Sequence, residues 1–343
     1  MLRIVENATE PEITSPIDLC DARGNLNREA VAWSRHPLHR CNVRGHFMRK
    51  KRWNYWAVTS DRYAFSMTVA DVDYLGLGAA YFIDFGTKKM IDKTITTPLS
   101  GPHMPEYVHE DVRFRHKRLK VRVRDDGANV RMTAKARSFG GAPLQAEIDI
   151  TRPAGHETLN VVIPWSRDRF QFTSKQNTLP ASGFVQIGNE RYEFEPGNSW
   201  AVLDYGRGVW RYNTFWNWGA ASGPQNGHTI GLNIGGGWTD GTGMTENGVC
   251  IDGRLHKIHT DLRFTYDAGD CMKPWQIDTP GSDRLDLRFE PFFERSTKTD
   301  LILLKSNVQQ VFGHYNGSFT TEDGTRYVIS KLLGWVEQQN ARW

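Results

Sequence analysis

Polar and apolar residues alternate along much of this chain, and a helical spacing of apolar residues is rare. Leucine and valine alternate with basic residues over positions 119–124. After a turn at residues 125–127 the alternation resumes over 130–135, and it continues over 144–150. A period of two residues is typical of strands with one buried and one solvated face. We therefore predict a meander of antiparallel strands in this part of the chain.

The same alternation returns over residues 285–290, and a turn at residues 322–324 separates two further strands. Only the segment 330–339 spaces its apolar residues three to four positions apart, which predicts a short C-terminal helix. Many short strands with regular turns predict an all-β protein. Closed barrels and sandwiches both remain open at this point, because periodicity alone does not distinguish them.

The chain has 343 residues, a length suited to two domains of ordinary size. Proline and glycine punctuate residues 177–198, so we place a boundary there. The predicted organisation is an N-terminal arm over residues 1–40, a barrel-like domain over 41–185 and a second barrel-like domain over 186–343. Because the chain has 12 Trp, 11 Tyr and 17 Phe, we expect aromatic side chains to dominate the interior.

Composition and motifs argue against several classes of protein. No apolar run approaches the roughly 18 residues of a spanning helix, and the first residues are acidic where a signal peptide is basic, so we expect a cytoplasmic protein. A net charge of +4 does not favour nucleic-acid binding. The four cysteines are scattered and the zinc, calcium and nucleotide-binding motifs are missing, so we predict neither a metal nor a cofactor.

One long stretch, residues 212–239, contains no Asp, Glu, Lys or Arg, although 24% of the chain is charged. Within it the amide of Asn217 lies between Trp216 and Trp218, and Trp238 follows near its end. Aromatic walls with a few neutral polar groups are typical of a ligand pocket. Two central strands buried on both faces would lack charges for another reason, the cost of burying a charge. Both interpretations stay open.

Charged residues frame this neutral stretch. Asp204 and Arg207 precede it, and Asp240 and Glu246 follow it. A carboxylate beside tryptophans is a candidate for a raised pKa and hence for acid–base catalysis. The predicted catalytic residues are therefore Asp204, Glu246 and Asp240.

Several long motifs, found in order along the chain, carry a resemblance to a known family. They are WSRHPLHRCN at 33–42, RKKRWNYW at 49–56, HETLNVVIPWSRDRFQFTSKQ at 156–176, LDYGRGVWRYNTFWNW at 203–218, WTDGTGMTENG at 238–248 and the final GWVEQQNARW. Over nearly its whole length the chain resembles the bacterial family DUF2804, which is known mainly by its sequence. That family is distantly similar to two-barrel, lipocalin-like proteins, among them AttH-type proteins, carotenoid hydratases and pericyclase-type cyclases.

The resemblance implies two lipocalin-like (calycin-type) antiparallel β-barrels, or strongly curved sheets, with a ligand site near their contact. It also implies substrate-binding candidates in both halves of the chain. These are Trp53, Trp56, Trp165, Arg167, Tyr205, Arg207, Trp216, Asn217, Trp218 and Trp238.

Three functions follow from the pocket and its carboxylates. The first is an enzyme that performs cofactor-independent acid–base chemistry, such as hydration, isomerisation or cyclisation, on a largely apolar or terpenoid-like molecule. The second is a carrier or sensor of a hydrophobic ligand, and the third is a carbohydrate-active enzyme with paired carboxylates. In each case the expected partner is a small molecule, without nucleic acid or integral membrane association. The sequence leaves the oligomeric state unassigned.

Overall fold

A computed structural model describes residues 9–99, 101–300 and 305–342 of the chain. Within these residues the regular structure is one 3₁₀ turn, Arg28–Ala30, and 24 strands. The first three strands are two residues long: β1 (Ile17–Asp18), β2 (Trp33–Ser34) and β3 (His39–Arg40). β1 pairs with β3 in parallel. The predicted all-β class is confirmed.

The first large sheet has 13 strands. Besides β2 they are β4 (Lys50–Ser60), β5 (Tyr63–Asp71), β6 (Leu75–Asp84), β7 (Lys89–Pro98), β8 (Val112–His116), β9 (Leu119–Asp125), β10 (Asn129–Phe139), β11 (Ala142–Thr151), β12 (Leu159–Ser166), β13 (Arg169–Ile187), β14 (Glu190–Phe194) and β15 (Ser199–Val209). The main path runs β7-β6-β5-β4-β15-β13-β11-β10-β9-β8, and β12 and β14 pair with the long strand β13.

This sheet curves until its two ends face each other. Gly78 on β6 lies against Phe114 on β8, and a Cβ at position 78 would stand only 2.2 Å from that ring. A glycine is therefore required where the two ends of the path approach most closely.

The second sheet has nine strands. They are β16 (Asn213–Gln225), β17 (His228–Gly236), β18 (Asn247–Ile251), β19 (Arg254–Ile258), β20 (Arg263–Thr265), β21 (Trp275–Asp278), β22 (Leu285–Asp300), β23 (Lys305–Thr320) and β24 (Arg326–Arg342). Their order is β19-β18-β17-β16-β24-β23-β22-β21-β20. This sheet also curls. The curvature is shown by the contact of Gly236 on β17 with the ring of Phe264 on β20, two strands that are far apart in the strand order.

The predicted meander corresponds to β9, β10 and β11, which pair in antiparallel register. Apolar residues of these strands, such as Val121, Met132 and Ile148, point into the core of the first sheet. Their basic and acidic neighbours, such as Lys120 and Asp149, are exposed. The alternation in the sequence therefore marks one buried and one solvated face, as expected.

The predicted C-terminal helix over residues 330–339 is wrong, since this segment is the middle of strand β24. β24 lies between β16 and β23 and is buried on both faces, so apolar residues such as Leu332, Trp335 and Val336 do not alternate with polar ones. A register shift opposite Tyr315–Gly317, with Lys331 at a positive φ of 50°, interrupts the period further. Together these two features give the strand a spacing that imitates a helix.

The predicted boundary between residues 185 and 186 falls inside β13, whereas the chain passes from the first sheet to the second at residues 210–212. The division into an N-terminal arm and two barrel-like domains stays a prediction. Among the described residues no helix has the length and apolar character needed to cross a membrane.

Each sheet uses its two faces differently. The inner faces hold two apolar cores, one per sheet. Parts of the outer faces pack on each other, with Ala57, Ile83 and Val202 from the first sheet against Phe312 and Trp335 from the second. The strands around this contact supply the side chains of the site described next.

Candidate functional site

Strand register on the first sheet brings polar residues into one row on the outer face. Lys175 on β13 stands opposite Asp204 on β15, which stands opposite Tyr55 on β4 and then Thr68 on β5. Residues directly opposite each other on paired strands share a face. Four positions that are far apart in the sequence therefore line the same surface.

The second sheet presents a matching row. Trp218 on β16 stands opposite Glu337 on β24, which stands opposite Gln310 on β23 and then Arg295 on β22. All four side chains face the first sheet's row across a cavity of about 320 Å³. The cavity thus lies where the outer faces of the two sheets diverge.

Tryptophans form much of the cavity wall, and all of them are buried or half-buried. They are Trp53, Trp210, Trp216, Trp218 and Trp238. The Trp210 and Trp238 rings stack, with centroids 5.3 Å apart. Flat aromatic faces of this kind suit an apolar ligand with a few polar groups.

A buried lysine joins two carboxylates on this wall. Lys175 Nζ lies 3.0 Å from Asp204 Oδ1 and 3.1 Å from Glu246 Oε2. The ammonium also sits 4.4 Å from the centroid of the Trp218 ring, and Trp238 Nε1 donates to Glu246 Oε1 at 2.6 Å. We call Lys175, Asp204 and Glu246 the cavity cluster.

Burial and neighbouring charges shift the pKa values within the cavity cluster. Burial raises the pKa of Glu246, and the negative charge of Asp204 adds to this effect against the opposing influence of Lys175. Burial alone would lower the pKa of Lys175, but Asp204 and Glu246 together hold it above its ordinary value. The lysine therefore stays charged at neutral pH.

Glu337 stands apart from this cluster on the opposite wall. Its Oε1 accepts a hydrogen bond of 3.0 Å from Trp216 Nε1. Burial raises the pKa of Glu337 to about 7, and repulsion by Asp204 contributes. A carboxyl group with this pKa is available both as an acid and as a base near neutral pH.

A small ring of hydrogen bonds crosses the cavity between the sheets. Tyr55 Oη donates to Tyr81 Oη at 2.7 Å, Tyr81 Oη donates to Gln310 Oε1 at 3.0 Å, and Gln310 Nε2 donates to Tyr55 Oη at 3.2 Å. Each of the three side chains donates one hydrogen bond and accepts one within the ring. They come from three separate strands, β4, β6 and β23. The ring fixes the distance between the two walls.

Of the residues predicted from the sequence, six line the cavity. They are Asp204, Glu246, Trp53, Trp216, Trp218 and Trp238.

Three other predicted residues, Trp56, Tyr205 and Arg207, point to the inner face of the first sheet instead. Trp56 and Tyr205 belong to its apolar core. The buried Arg207 guanidinium donates to the carbonyl oxygens of Pro105 and Trp53 and to Asn54 Oδ1. Successive residues of a strand point to opposite faces. Trp56 directly follows Tyr55, which lines the cavity, and Tyr205 and Arg207 lie one and three residues after Asp204, which also lines it.

The remaining four predicted residues are near the cavity or outside it. Trp165 packs behind Trp210 and donates to the Trp238 carbonyl at 2.8 Å. Asn217 donates to Tyr266 Oη at 2.9 Å on the far side of β16.

Arg167 and Asp240 are exposed. Arg167 lies 3.9 Å from Asp21, and Asp240 accepts a hydrogen bond from the Gly237 amide in a surface turn.

Sequence reasoning missed several residues that line the cavity. They are Lys175, Glu337, Tyr55, Tyr81, Trp210, Arg295 and Gln310. Lys175 and Tyr55 lie within the quoted motifs at 156–176 and 49–56. Their alternation with buried neighbours could have indicated that they point to the other face of the strand. Glu337 lay in the segment interpreted as a helix, so its partner strands could not be assigned.

Comparison with known proteins bears on the fold. The sequence profile described as "Domain of unknown function (DUF2804)" matches residues 10–343. The chain belongs to the DUF2804 family. No curated protein matches the chain.

Solved structures resemble this DUF2804 protein in fold. Kievitone hydratase from Nectria haematococca superposes with a TM-score of 0.52, at 11% identity over 97% of both chains. CghA with Sch210972 superposes with a TM-score of 0.51, at 12% identity over 86% of this chain and 88% of that chain. The predicted family and the lipocalin-like, two-barrel architecture are confirmed. At this level of identity the likeness concerns the fold alone.

Proposed function

We propose that this chain binds a largely apolar small molecule between its two sheets and transforms it by acid–base chemistry that needs no cofactor. The observation that carries the proposal is Glu337, a carboxyl group with a pKa of about 7 on the wall of a tryptophan-lined cavity. A carrier would gain nothing from this arrangement, because a buried acid without a cationic partner in contact costs stability.

Glu337 is the proposed proton donor. Near neutral pH about half of these groups carry a proton, and the Trp216 indole holds the carboxyl in place. Proton transfer to a carbon–carbon double bond would leave a positive charge on the substrate. The faces of Trp53, Trp210 and Trp238 would stabilise that charge.

Asp204 is the proposed proton acceptor. It is the more accessible carboxylate of the cavity cluster, with a side chain 15% exposed against 1% for Glu246. Lys175 would hold both carboxylates in position through its contacts with them. In a hydration, Asp204 would take a proton from the attacking water, whereas in an isomerisation or a cyclisation it would take a proton from carbon.

Hydration is the first reaction to test, because one of the structural relatives is named a hydratase. We propose to identify the compound that copurifies with the protein by mass spectrometry and to incubate it with the protein in ¹⁸O-labelled and deuterated water. Hydration would introduce ¹⁸O, whereas isomerisation would introduce deuterium only.

Glu337→Gln supplies the decisive variant. We expect label incorporation to fall by about 100-fold or more, while binding of the neutral apolar dye N-phenyl-1-naphthylamine changes little. Glu290→Gln, which alters an exposed glutamate of the same sheet, is the matched control and should keep full activity. Full incorporation by Glu337→Gln would contradict the proposal, and a bound compound that never exchanges label would indicate a carrier.

The cavity cluster argues against Asp204 and Glu246 as the paired carboxylates of a carbohydrate-active enzyme. In a glycosidase the sugar linkage lies between two carboxyl groups. Here the ammonium of Lys175 already contacts both Asp204 and Glu246. The space between these two carboxylates is therefore occupied by the protein itself.

A further inference from the structure

Arg295 is a half-buried cation on the cavity wall. It ends the row formed by Trp218, Glu337 and Gln310 on the second sheet. Its guanidinium carbon lies 4.4 Å from the centroid of the Tyr81 ring, and its Nε is buried without a hydrogen-bond partner. Across residues 9–99, 101–300 and 305–342 no carboxylate forms an ion pair with it, although its charge acts on the carboxyl group of Glu337.

The other buried cations of the same region are satisfied by the protein. Lys175 contacts two carboxylates, and Arg207 donates to carbonyl oxygens and to an amide oxygen. A guanidinium has five N–H donors, and a buried donor without an acceptor is costly. The cavity end at Arg295 therefore offers donors that a bound molecule can use.

The surroundings of Arg295 are polar, unlike the tryptophan end of the cavity. Gln310 stands directly opposite it, and Thr297 and Ser306 continue the lining along β22 and β23. Asp92 on β7, which stands opposite Tyr81 on β6, also lines the cavity and is exposed. The cavity thus has an aromatic end and a polar, cationic end.

We infer that the substrate carries a carboxylate or another oxyanion that Arg295 binds, while its apolar part lies against the tryptophans. A planar guanidinium can bind an oxyanion through two parallel hydrogen bonds, which fixes orientation as well as charge. This inference rests on the proposed function, because it assigns the substrate class of the same cavity. A bound anion near Glu337 would also favour its protonated form, as the proposed acid requires.

A matched acid and alcohol test the inference. N-Phenyl-1-naphthylamine is first bound to the full chain and then displaced by decanoate or by 1-decanol, which share a carbon chain of the same length. We expect decanoate to displace the dye at a concentration at least about tenfold lower than decanol. In Arg295→Gln this preference should disappear while decanol binding stays unchanged. Arg288→Gln, an exposed arginine of the same strand, is the control and should keep the preference.

The outcomes separate the two proposals. If the dye does not bind, the proposed function fails together with the inference. If the dye binds but decanoate has no advantage, or keeps its advantage in Arg295→Gln, only the inference is overturned. Should Arg295→Gln not fold, Arg295→Lys carries the test, because a lysine keeps the charge but loses the paired hydrogen bonds. A several-fold smaller preference then supports the inference, and an unchanged preference contradicts it.

Discussion

Two buried lysines, Lys175 and Lys257, face similar surroundings and differ in the number of carboxylates they meet. Lys175 contacts Asp204 and Glu246 on the cavity wall. Lys257 on β19 pairs with one carboxylate, Glu10 of the N-terminal segment. With Glu10 and His259, whose Nδ1 lies 3.0 Å from Glu10 Oε2, Lys257 forms what we call the junction cluster.

The pKa values of the two lysines move in opposite directions. Burial lowers the pKa of Lys257 to about 8, because Glu10 in direct contact, together with the more distant charges of Glu246 and Asp261, offsets burial only in part. At Lys175 two carboxylates outweigh burial and raise the pKa. A second carboxylate in direct contact therefore distinguishes Lys175 from Lys257.

The two clusters are joined by neighbouring residues of the chain. Thr245 Oγ1 accepts from Lys257 Nζ at 2.5 Å, and the Thr245 amide donates to Glu10. The next residue, Glu246, points the other way and reaches Lys175. The junction cluster has no part in lining the cavity among the described residues, so we expect it to stabilise the fold and the cavity cluster to serve the chemistry.

Removing the carboxylate of the junction cluster should have the largest effect on stability. Glu10→Gln leaves Lys257 buried with only neutral partners, and breaking a buried ion pair costs about 3–5 kcal/mol. Glu12→Gln is the matched control, since Glu12 pairs with Arg35 at the surface and should cost less than about 1 kcal/mol. Urea unfolding at neutral pH measures both. Equal losses in the two variants would contradict a structural role for the junction cluster.

Lys257 and Lys175 should make the free energy of unfolding depend on pH in opposite directions. The folded pKa of Lys257, about 8, lies below its ordinary value of 10.5, so between these values the unfolded chain binds more protons and stability rises with pH. The gain relative to Lys257→Met should be on the order of 3 kcal/mol. The folded pKa of Lys175 is raised instead. Its contribution to the free energy of unfolding is therefore complete below the ordinary lysine pKa of 10.5 and is lost only as the pH rises through the folded pKa.

Urea unfolding of the wild type, Lys257→Met and Lys175→Met over this range measures the difference. Lysine-selective NMR provides a check that does not require unfolding. If both lysines titrate together, the contrast between the clusters is wrong.

Asp204→Asn should make the cavity cluster resemble the junction cluster, because it leaves Lys175 with one carboxylate. We expect the pKa of Lys175 to fall by about 1–2 units, as when an adjacent opposite charge is lost. Asp240→Asn removes a carboxylate of a surface turn and is the control, with no expected change at Lys175. Lysine NMR of both variants measures the effect. An unshifted Lys175 in Asp204→Asn would show that Glu246 alone holds its charge.

The sequence predicted the strands where one face meets solvent, and it failed where both faces are buried. Alternation over residues 119–150 marks β9 to β11 correctly. The same rule misreads β24, because neighbouring positions such as Trp335 and Val336 are both buried and apolar on opposite faces of the strand. Periodicity measures the contrast between two faces, and it disappears when that contrast does.

The candidate site could be predicted in part for a similar reason. The neutral stretch 212–239 does supply part of the cavity wall through Trp216 and Trp218. Motifs, however, name whole segments, whereas a strand sends Tyr55 to the cavity and Trp56 to the core. Glu337 and Arg295 join the site only through the register of β22, β23 and β24, which no local pattern fixes.

One face of each strand at the cavity packs in a core and the other lines the cavity. Substitutions that change ligand preference can therefore be separated from substitutions that change the fold. Positions such as Leu203 and Tyr205 are constrained by packing in the core, while Asp204 between them faces the cavity. Divergence at alternate positions can thus produce new activities on one scaffold. A library that randomises only the cavity-lining residues of β4, β5, β15 and β24 would explore ligand preference while leaving the cores intact.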